Sequence, residues 1–300
     1  MPSIEVEFCG LHFSNPIILA SGVLGVTAST LNRLVEEAGI GGITSKSIGP
    51  EPRAGYLNPS VIEIEPGTCL NAVGLANPGI DEFIKEIPEI DHESVPFIVS
   101  IFGETEDQYA MMARKVEQAG ADAVELNISC PHAKVSSIGA DPYLTASVVA
   151  NVKAAVKIPV FVKLNPNVTS IVDIGRAAEK AGADALVAIN TVRGMVIDID
   201  IGKPILANKS GGVSGKAIKP MAIKAVYDLF ESVRVPIIGC GGVFTGHDVI
   251  EFMLAGARAV QVGTAFLNGL GIVENMKHDF LEYMKRHSIQ KLADIIGKAH

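Results

Sequence analysis

The sequence predicts one α/β domain built as a (β/α)8 barrel, a TIM barrel, and three observations carry that expectation. First, a helix–glycine–strand unit recurs. Glu37-Ala38-Gly39-Ile40-Gly41-Gly42-Ile43-Thr44 is echoed at Gln118–Glu125, at Lys180–Val187 and at Leu254–Gln261. Glycine just past a helix supplies the left-handed cap that an L-residue resists. The apolar run after it reads as a buried strand, so the repetition means αβ units in series. Second, the runs are aliphatic: aromatics make up 5% of the chain and Trp is absent. That composition suits parallel strands covered on both faces. Third, Gly10, Gly22 and Gly25 do not form the early G-x-G-x-x-G turn expected of a doubly wound open sheet.

Taken in order, residues 4–13 alternate apolar and polar and fit a hairpin closing the barrel floor. Strands are expected near 17–21, 42–46, 96–101, 122–127, 158–163, 184–190, 235–240 and 258–263. Helical periodicity fits 28–38, 105–119, 142–156, 170–181, 216–232 and 246–255. Residues 47–80 and 191–214 are long insertions after strands two and six. Such βα insertions build the functional face of a barrel. No linker or low-complexity stretch interrupts the chain, so residues 1–300 are expected to form a single domain.

Bulk properties narrow the function. A formal net charge of −8 argues against a nucleic-acid partner. The N-terminus lacks a basic segment followed by an apolar one, and no apolar run approaches the ~20 residues of a membrane span. A cytoplasmic protein without a membrane contact is expected. Cys9, Cys69, Cys130 and Cys240 are far apart. Neither a disulfide framework, a metal site nor an iron–sulfur cluster held by this chain alone is expected.

In a barrel, chemistry gathers at the C-terminal ends of the strands. Those ends read Ser21-Gly22, Lys46-Ser47, Ser100, Asn127, Lys163, Asn190-Thr191, Gly241-Gly242 and Gly263-Thr264. Polar and cationic ends on apolar strands mark a site. The glycine pairs follow strands seven and eight, where this fold holds phosphate on backbone N–H groups. Gly211-Gly212 and Gly215 are candidates for the same cradle. Glycines in one loop equally suit a tight turn, whereas two adjacent loops favour phosphate. Lys46 and Lys163 either reach along the strand ends to water or face one mouth as cations for an anion, such as the N1/O2 edge of a reduced flavin. Asn71, Asn127 and Asn190 offer donors and acceptors that suit a planar substrate with amide edges and a carboxylate.

Cys9, Cys69 and Cys240 read as small core residues. Cys130 differs, because it lies beyond a strand end in Asn127-Ile128-Ser129-Cys130-Pro131-His132. The following stretch, 134–141, has little apolar pattern and is a candidate lid. A thiolate there can serve as nucleophile or as general base, and the residues alone leave both open. His132 either assists proton transfer or faces solvent.

The chain resembles the dihydroorotate dehydrogenases along nearly its whole length. The matching segments are NPIILASGVLG (15–25), SKS (45–47), NAVGLANPG (71–79), ELNISCP (125–131), VKLNPNV (162–168), INT (189–191), PILANKSGGVSGKAIKP (204–220), PIIGCGGV (236–243) and AVQVGTAF (259–266). Residues 189–220 look most like the NAD-linked, heteromeric branch. The membrane-bound, quinone-linked class uses serine as base and carries an N-terminal extension. The resemblance implies bound FMN and oxidation of (S)-dihydroorotate to orotate in pyrimidine synthesis. Cys130 would be the base for the C5 proton, while the C6 hydride goes to FMN. Carried over by motif, flavin contacts would come from Ser21, Lys46, Ser47, Asn127, Lys163, Ile189, Gly215, Gly241, Gly242, Gly263 and Thr264. Substrate contacts would come from Lys46, Asn71, Ala72, Val73, Gly74, Leu75, Asn127, Asn190 and Thr191. The branch implies a homodimer joined to two partner subunits bearing FAD and a [2Fe–2S] cluster, with NAD as final acceptor.

Four positions depart from the family pattern: His132 and Ser100 where asparagine is usual, Lys216 where proline is usual, and Arg193 in place of an apolar residue. Competing readings are a fumarate-linked dihydroorotate dehydrogenase, another FMN barrel acting on a pyrimidine (dihydropyrimidine dehydrogenase-like), and a non-catalytic barrel that binds a phosphorylated ligand.

Overall fold

A computed structural model describes residues 2–25, 27–129 and 138–300. The chain opens with β1 (Val6–Phe8) and β2 (Leu11–Phe13), an antiparallel hairpin pairing Val6 with Phe13. Phe8 stacks on Phe13 at 4.6 Å between centroids and reaches Phe161 in the barrel interior at 6.1 Å. The hairpin therefore plugs the floor, as its alternation predicts.

Next come β3 (Ile17–Leu19), α1 (Ala28–Ala38) and β4 (Ile43–Thr44). The first insertion carries β5 (Val61–Glu65), β6 (Thr68–Asn71) and α2 (Ile80–Phe83). The barrel resumes with β7 (Phe97–Ile101), α3 (Glu106–Gln118), β8 (Ala123–Asn127), α4 (Pro142–Ala155), β9 (Val160–Lys163), α5 (Ile171–Lys180) and β10 (Ala185–Ala188). The second insertion holds β11 (Val192–Gly194), β12 (Ile197–Asp198), β13 (Lys203–Pro204) and β14 (Gly211–Gly215). Then follow α6 (Lys219–Ser232), β15 (Ile237–Cys240), α7 (Gly246–Leu254), β16 (Ala259–Val262) and α8 (Ile272–Arg286).

Eight parallel strands run in the order β3-β16-β15-β10-β9-β8-β7-β4. The two ends meet: Leu19 N–H donates to the Gly42 carbonyl and Gly41 N–H to the Ile17 carbonyl, each at 2.9 Å. An Ile18–Gly42 bridge joins them. The sheet is thus closed, and a closed sheet has no exposed edge to protect. The repeat glycines behave as expected, with φ of 59° at Gly39, 101° at Gly120 and Gly182, and 115° at Gly256. Each turns the chain from a helix into a fully buried strand. The core is aliphatic, with Ile17, Ile98, Val124, Val162, Leu186 and Val260 wholly buried.

Two features went beyond the sequence reading. The insertions pair with each other in a four-stranded antiparallel sheet, β11-β14-β6-β5. It aligns Gly212 with Asn71 and holds a small core of Leu70, Ala72 and Leu206. In addition, α8 buries Val273, Met276, Phe280 and Met284 along one face. The helix expected from residue 216 begins at Lys219, after a 3-10 turn at Lys216–Ile218. Among the described residues, no helix is long and apolar enough to cross a membrane.

The N-terminus of α7 borders the mouth. Thr245 caps it, and Asp248 returns the bond to the Thr245 N–H at 2.8 Å in a capping box. Burial alone would raise the Asp248 carboxyl. Lys219 Nζ at 2.8 Å, the N–H groups of Phe244 and Thr245, and the Thr245 hydroxyl outweigh it, so its pKa lies below the ordinary 3.8. A depressed carboxyl stabilises the fold fully above its unfolded pKa, and that stability is lost as pH falls through the folded value. Asp248→Asn should therefore unfold at lower denaturant than the parent at about pH 6, with the difference shrinking below about pH 4. Denaturant titrations at both pH values check this.

Candidate active site

The strand ends converge on one mouth. Ser47 Oγ lies 3.1 Å from Ser21 Oγ and 2.9 Å from Ser100 Oγ, and it accepts a bond from Asn127 Nδ2 at 2.9 Å. Four strand ends thus share one hydroxyl. Tyr109 Oη fixes the other side of Asn127 by donating to its carbonyl at 2.8 Å. Ser100 is a link in this array.

The two lysines occupy different settings. Lys163 is buried. Its Nζ donates to Gln261 Oε1 at 2.8 Å and lies 3.9 Å from Glu125 Oε1. Burial works against its ammonium, but its charged and polar neighbours, the Glu125 carboxylate among them, outweigh burial and its pKa is raised. Lys46 is half-buried, and burial lowers its pKa. Among the described residues its Nζ has no hydrogen-bond or ion-pair partner, so this cation is open to a ligand.

A cradle lies beside them. Gly241 and Gly242 have φ of 125° and 79°, and Gly215 has 89°. A Cβ at Gly242 would stand 3.0 Å from the Gly215 carbonyl, so the two loops touch there. Thr264 Oγ1 lies 3.0 Å from Ser214 Oγ, tying the end of β16 to the same strand. The N–H groups of Gly242, Gly263 and Thr264 have no acceptor among the described residues. Free donors on adjacent loops suit a phosphate. Gly211 and Gly212 lie elsewhere: a Cβ on Gly212 would meet Thr191 Oγ1 at 2.1 Å, and one on Gly211 the Asn71 carbonyl at 2.2 Å. Both pack on the Asn71–Thr191 side of the mouth.

That side is continuous. Asn71 Nδ2 donates to the Gly212 carbonyl at 3.1 Å. Thr191 N–H donates to Asn190 Oδ1 at 2.8 Å, and Asn190 Nδ2 to Asn127 Oδ1 at 3.3 Å and to Ser129 Oγ. Ser129 Oγ in turn donates to Asn127 Oδ1 at 2.9 Å. Loop 71–79 is shaped by Asn77, whose Oδ1 accepts from Gly49 and Gly79 N–H and whose Nδ2 bonds the Leu75 carbonyl. Val73, Gly74 and Leu75 are half-buried along it, whereas Ala72 sits in the small core of the second sheet. Ile189 is buried in the barrel core, and its N–H donates to the Cys240 carbonyl at 2.7 Å. Either residue would meet a ligand through its backbone.

Cys130, His132 and most of the candidate lid fall within 130–137, outside the described residues. Arg193 is exposed on β11, with its N–H bonded to Asn167 Oδ1. Lys216 lies 5.1 Å from the Phe244 ring centroid. The other cysteines are not uniform. Burial, then Asp184, pushes the Cys9 thiol up to about 12, and its Sγ donates to the Asp184 carbonyl. Cys69 is buried, as expected. Cys240, read as a core residue, ends β15 half-buried, packed against the core and near Lys163; burial raises its pKa.

Glu125, Gln261, Thr44, Asn77 and Ser129 were not singled out from sequence. A signal existed for two of them. Glu125 and Gln261 interrupt strands that are otherwise aliphatic, and polar groups there need partners. Among the described residues, no group of three or more His, Cys, Asp or Glu could hold a metal ion.

A closed (β/α)8 barrel with lysines, amides, hydroxyls and glycine loops gathered at one mouth has the architecture of an enzyme active site. The dihydroorotate dehydrogenase family model matches residues 3–284. Among curated proteins, the chain is 49% identical to "Dihydroorotate dehydrogenase B (NAD(+)), catalytic subunit" of Methanocaldococcus jannaschii, covering 99% of this chain and 98% of that one. Proteins of the same name from Methanocella arvoryzae (50%, covering 97% and 96%) and Pyrococcus horikoshii (47%, covering 99% and 97%) are similarly close. The crystal structure of the Eimeria tenella dihydroorotate dehydrogenase in complex with ferulenol superposes with a TM-score of 0.86 at 23% identity, covering 100% of this chain and 89% of that one; at that identity it speaks for the fold. The chain belongs to the dihydroorotate dehydrogenase family and is an oxidoreductase. The resemblance of residues 189–220 to the NAD-linked branch agrees with these relatives.

Proposed function

We propose that this chain is the FMN-bearing catalytic subunit of an NAD-linked dihydroorotate dehydrogenase, oxidising (S)-dihydroorotate to orotate. The observation that carries the reading is the juxtaposition at one mouth: buried Lys163 and open Lys46 beside Ser47 and Asn127, flanked by the free N–H groups of Gly242, Gly263 and Thr264. An aromatic ring with an anionic edge and a terminal phosphate needs those donors in that arrangement. Ser21, Gly215 and Gly241 complete the contacts, with Ile189 contributing its backbone. When bound, FMN supplies the acceptor for the hydride that leaves C6.

The chain's own residues do the rest. Asn71, Asn127, Asn190 and Thr191 present amide and hydroxyl groups to the ring amides and the carboxylate, and the 72–75 loop covers them. Lys46, with no counter-charge among the described residues, pairs with anionic groups of substrate or cofactor. Cys130, as thiolate, takes the C5 proton. The substrate loses a proton and a hydride, the C5=C6 bond forms, and two electrons pass onward. The word "subunit" in the relatives' names supports a separate electron-transfer partner, which would bear FAD and a [2Fe–2S] cluster and deliver the electrons to NAD. We place the enzyme in the cytoplasm, as a homodimer within a heterotetramer.

The purified protein should be yellow, with flavin absorbance near ~450 nm, and anaerobic dihydroorotate should bleach it. A colourless protein that takes up no FMN would end the flavin reading. A yellow protein left unbleached by dihydroorotate, whose flavin is reoxidised by uracil after reduction with dithionite, would favour the dihydropyrimidine alternative. Turnover with fumarate but not with partner subunit and NAD would favour the fumarate-linked branch.

A further inference from the structure

The barrel interior just below the mouth is polar where a packed barrel is usually aliphatic. Thr44, Ser100, Glu125, Lys163 and Gln261 enter it from β4, β7, β8, β9 and β16, and each is at least 95% buried. Glu125 stands at the centre. Its Oε1 accepts from Ser100 Oγ at 3.1 Å and its Oε2 from Gln261 Nε2 at 2.5 Å. Gln261 bridges onward, accepting from Lys163 Nζ at 2.8 Å through the other end of the same amide. On the opposite side, Ser100 reaches Ser47 and hence Asn127. Side chains alternate along a strand, so Glu125 and Asn127 point to the same face, one layer apart. One buried carboxylate is thereby joined to both groups of residues placed around the flavin.

We propose that Glu125 is a positioning residue: through Gln261 and across the 3.9 Å gap it holds the Lys163 ammonium charged and aimed at the mouth, where the charge stabilises the reduced cofactor. This rests on the flavin reading above. The physical case is direct. A buried lysine without a counter-charge tends to give up its proton, and an isolated buried carboxylate is equally unfavourable. Each supplies what the other lacks, and the Gln261 amide fixes their geometry by bonding both. Neither group is available to solvent, so a surface-stabilising role does not account for them.

The test is the two-electron midpoint potential of bound FMN, measured by anaerobic dithionite titration against a reference dye at pH 7. Glu125→Gln preserves the shape and removes the charge. The potential should fall, with the equilibrium for flavin reduction weakened at least tenfold, about 30 mV for a two-electron couple. An unchanged or raised potential overturns the proposal, because Lys163 would then hold its charge without Glu125. Gln261→Met serves as the second variant: it keeps the carboxylate and removes the bridge, and the same downward shift is expected. If Glu125→Gln does not fold, an unchanged potential in Gln261→Met overturns the proposal by itself. A wild-type apoprotein that takes up no FMN would instead defeat the flavin reading, so the two failures are distinct.

Discussion

Cys130→Ala is expected to retain FMN yet lose reduction of the flavin by dihydroorotate by ~100-fold or more, the usual scale for removing a general base. Cys130 lies outside the described residues, but its approach does not. The residue before it, Ser129, is bonded to Asn127 and Asn190, the amides proposed above to meet the substrate. Anaerobic stopped-flow at ~450 nm with saturating substrate separates the chemical step from binding. Because the proton and hydride leave adjacent carbons, losing the base slows the hydride too, even though Cys130 never touches it. Cys130→Ser should keep part of the rate with its pH optimum moved upward, since a hydroxyl is harder to deprotonate than a thiol. Full activity in Cys130→Ala would mean that the C5 proton leaves by another group.

Gly242→Val should weaken FMN binding by at least tenfold, equivalent to ~1.4 kcal/mol, while leaving the barrel folded. Gly242 has φ +79°, and a Cβ built there stands 2.6 Å from Lys219 Cβ. A β-branched residue in that conformation costs about 1–3 kcal/mol before the overlap is counted. The loop must move, and its N–H moves with it. Gly120→Ala is the matched control. Gly120 also has a left-handed φ, +101°, but nothing lies within 4 Å of a Cβ there, and it sits at the floor end of β8. It should lose some stability and keep its FMN affinity. Fluorescence titration of the apoproteins measures both. Equal loss of affinity in the two variants would show that general destabilisation, not the cradle, is responsible.

The correspondence between sequence and structure is uneven for physical reasons. The helix–glycine–strand repeat was legible because each signal is local: a cap needs one glycine, and a buried strand needs a short aliphatic run. All eight barrel strands and six of the outer helices fall where those signals place them. The α8 helix carries an equally local pattern in Val273, Met276, Phe280 and Met284, but it lies after the last strand the repeat accounts for. The second sheet had no such signal. β6 and β14 pair Asn71 with Gly212, and nothing near either residue encodes the other. Arg193 and Lys216, read from the sequence as departures from the family pattern, have ordinary surroundings: a backbone bond to Asn167 and an aromatic neighbour in Phe244.

The sequence by itself determined the barrel, the family and which strand ends carry polar groups, because periodicity, capping and motif order are properties of neighbouring residues. Only the tertiary structure decided how those ends are wired. Gly211-Gly212 were packed against Asn71 and Thr191, Cys240 was set near Lys163 at the edge of the core, and Glu125 was linked through Gln261 to Lys163 and through Ser100 to Ser47. Closing a sheet brings alternate residues of distant strands into one layer, and that juxtaposition depends on register across the barrel, which no local stretch of sequence contains.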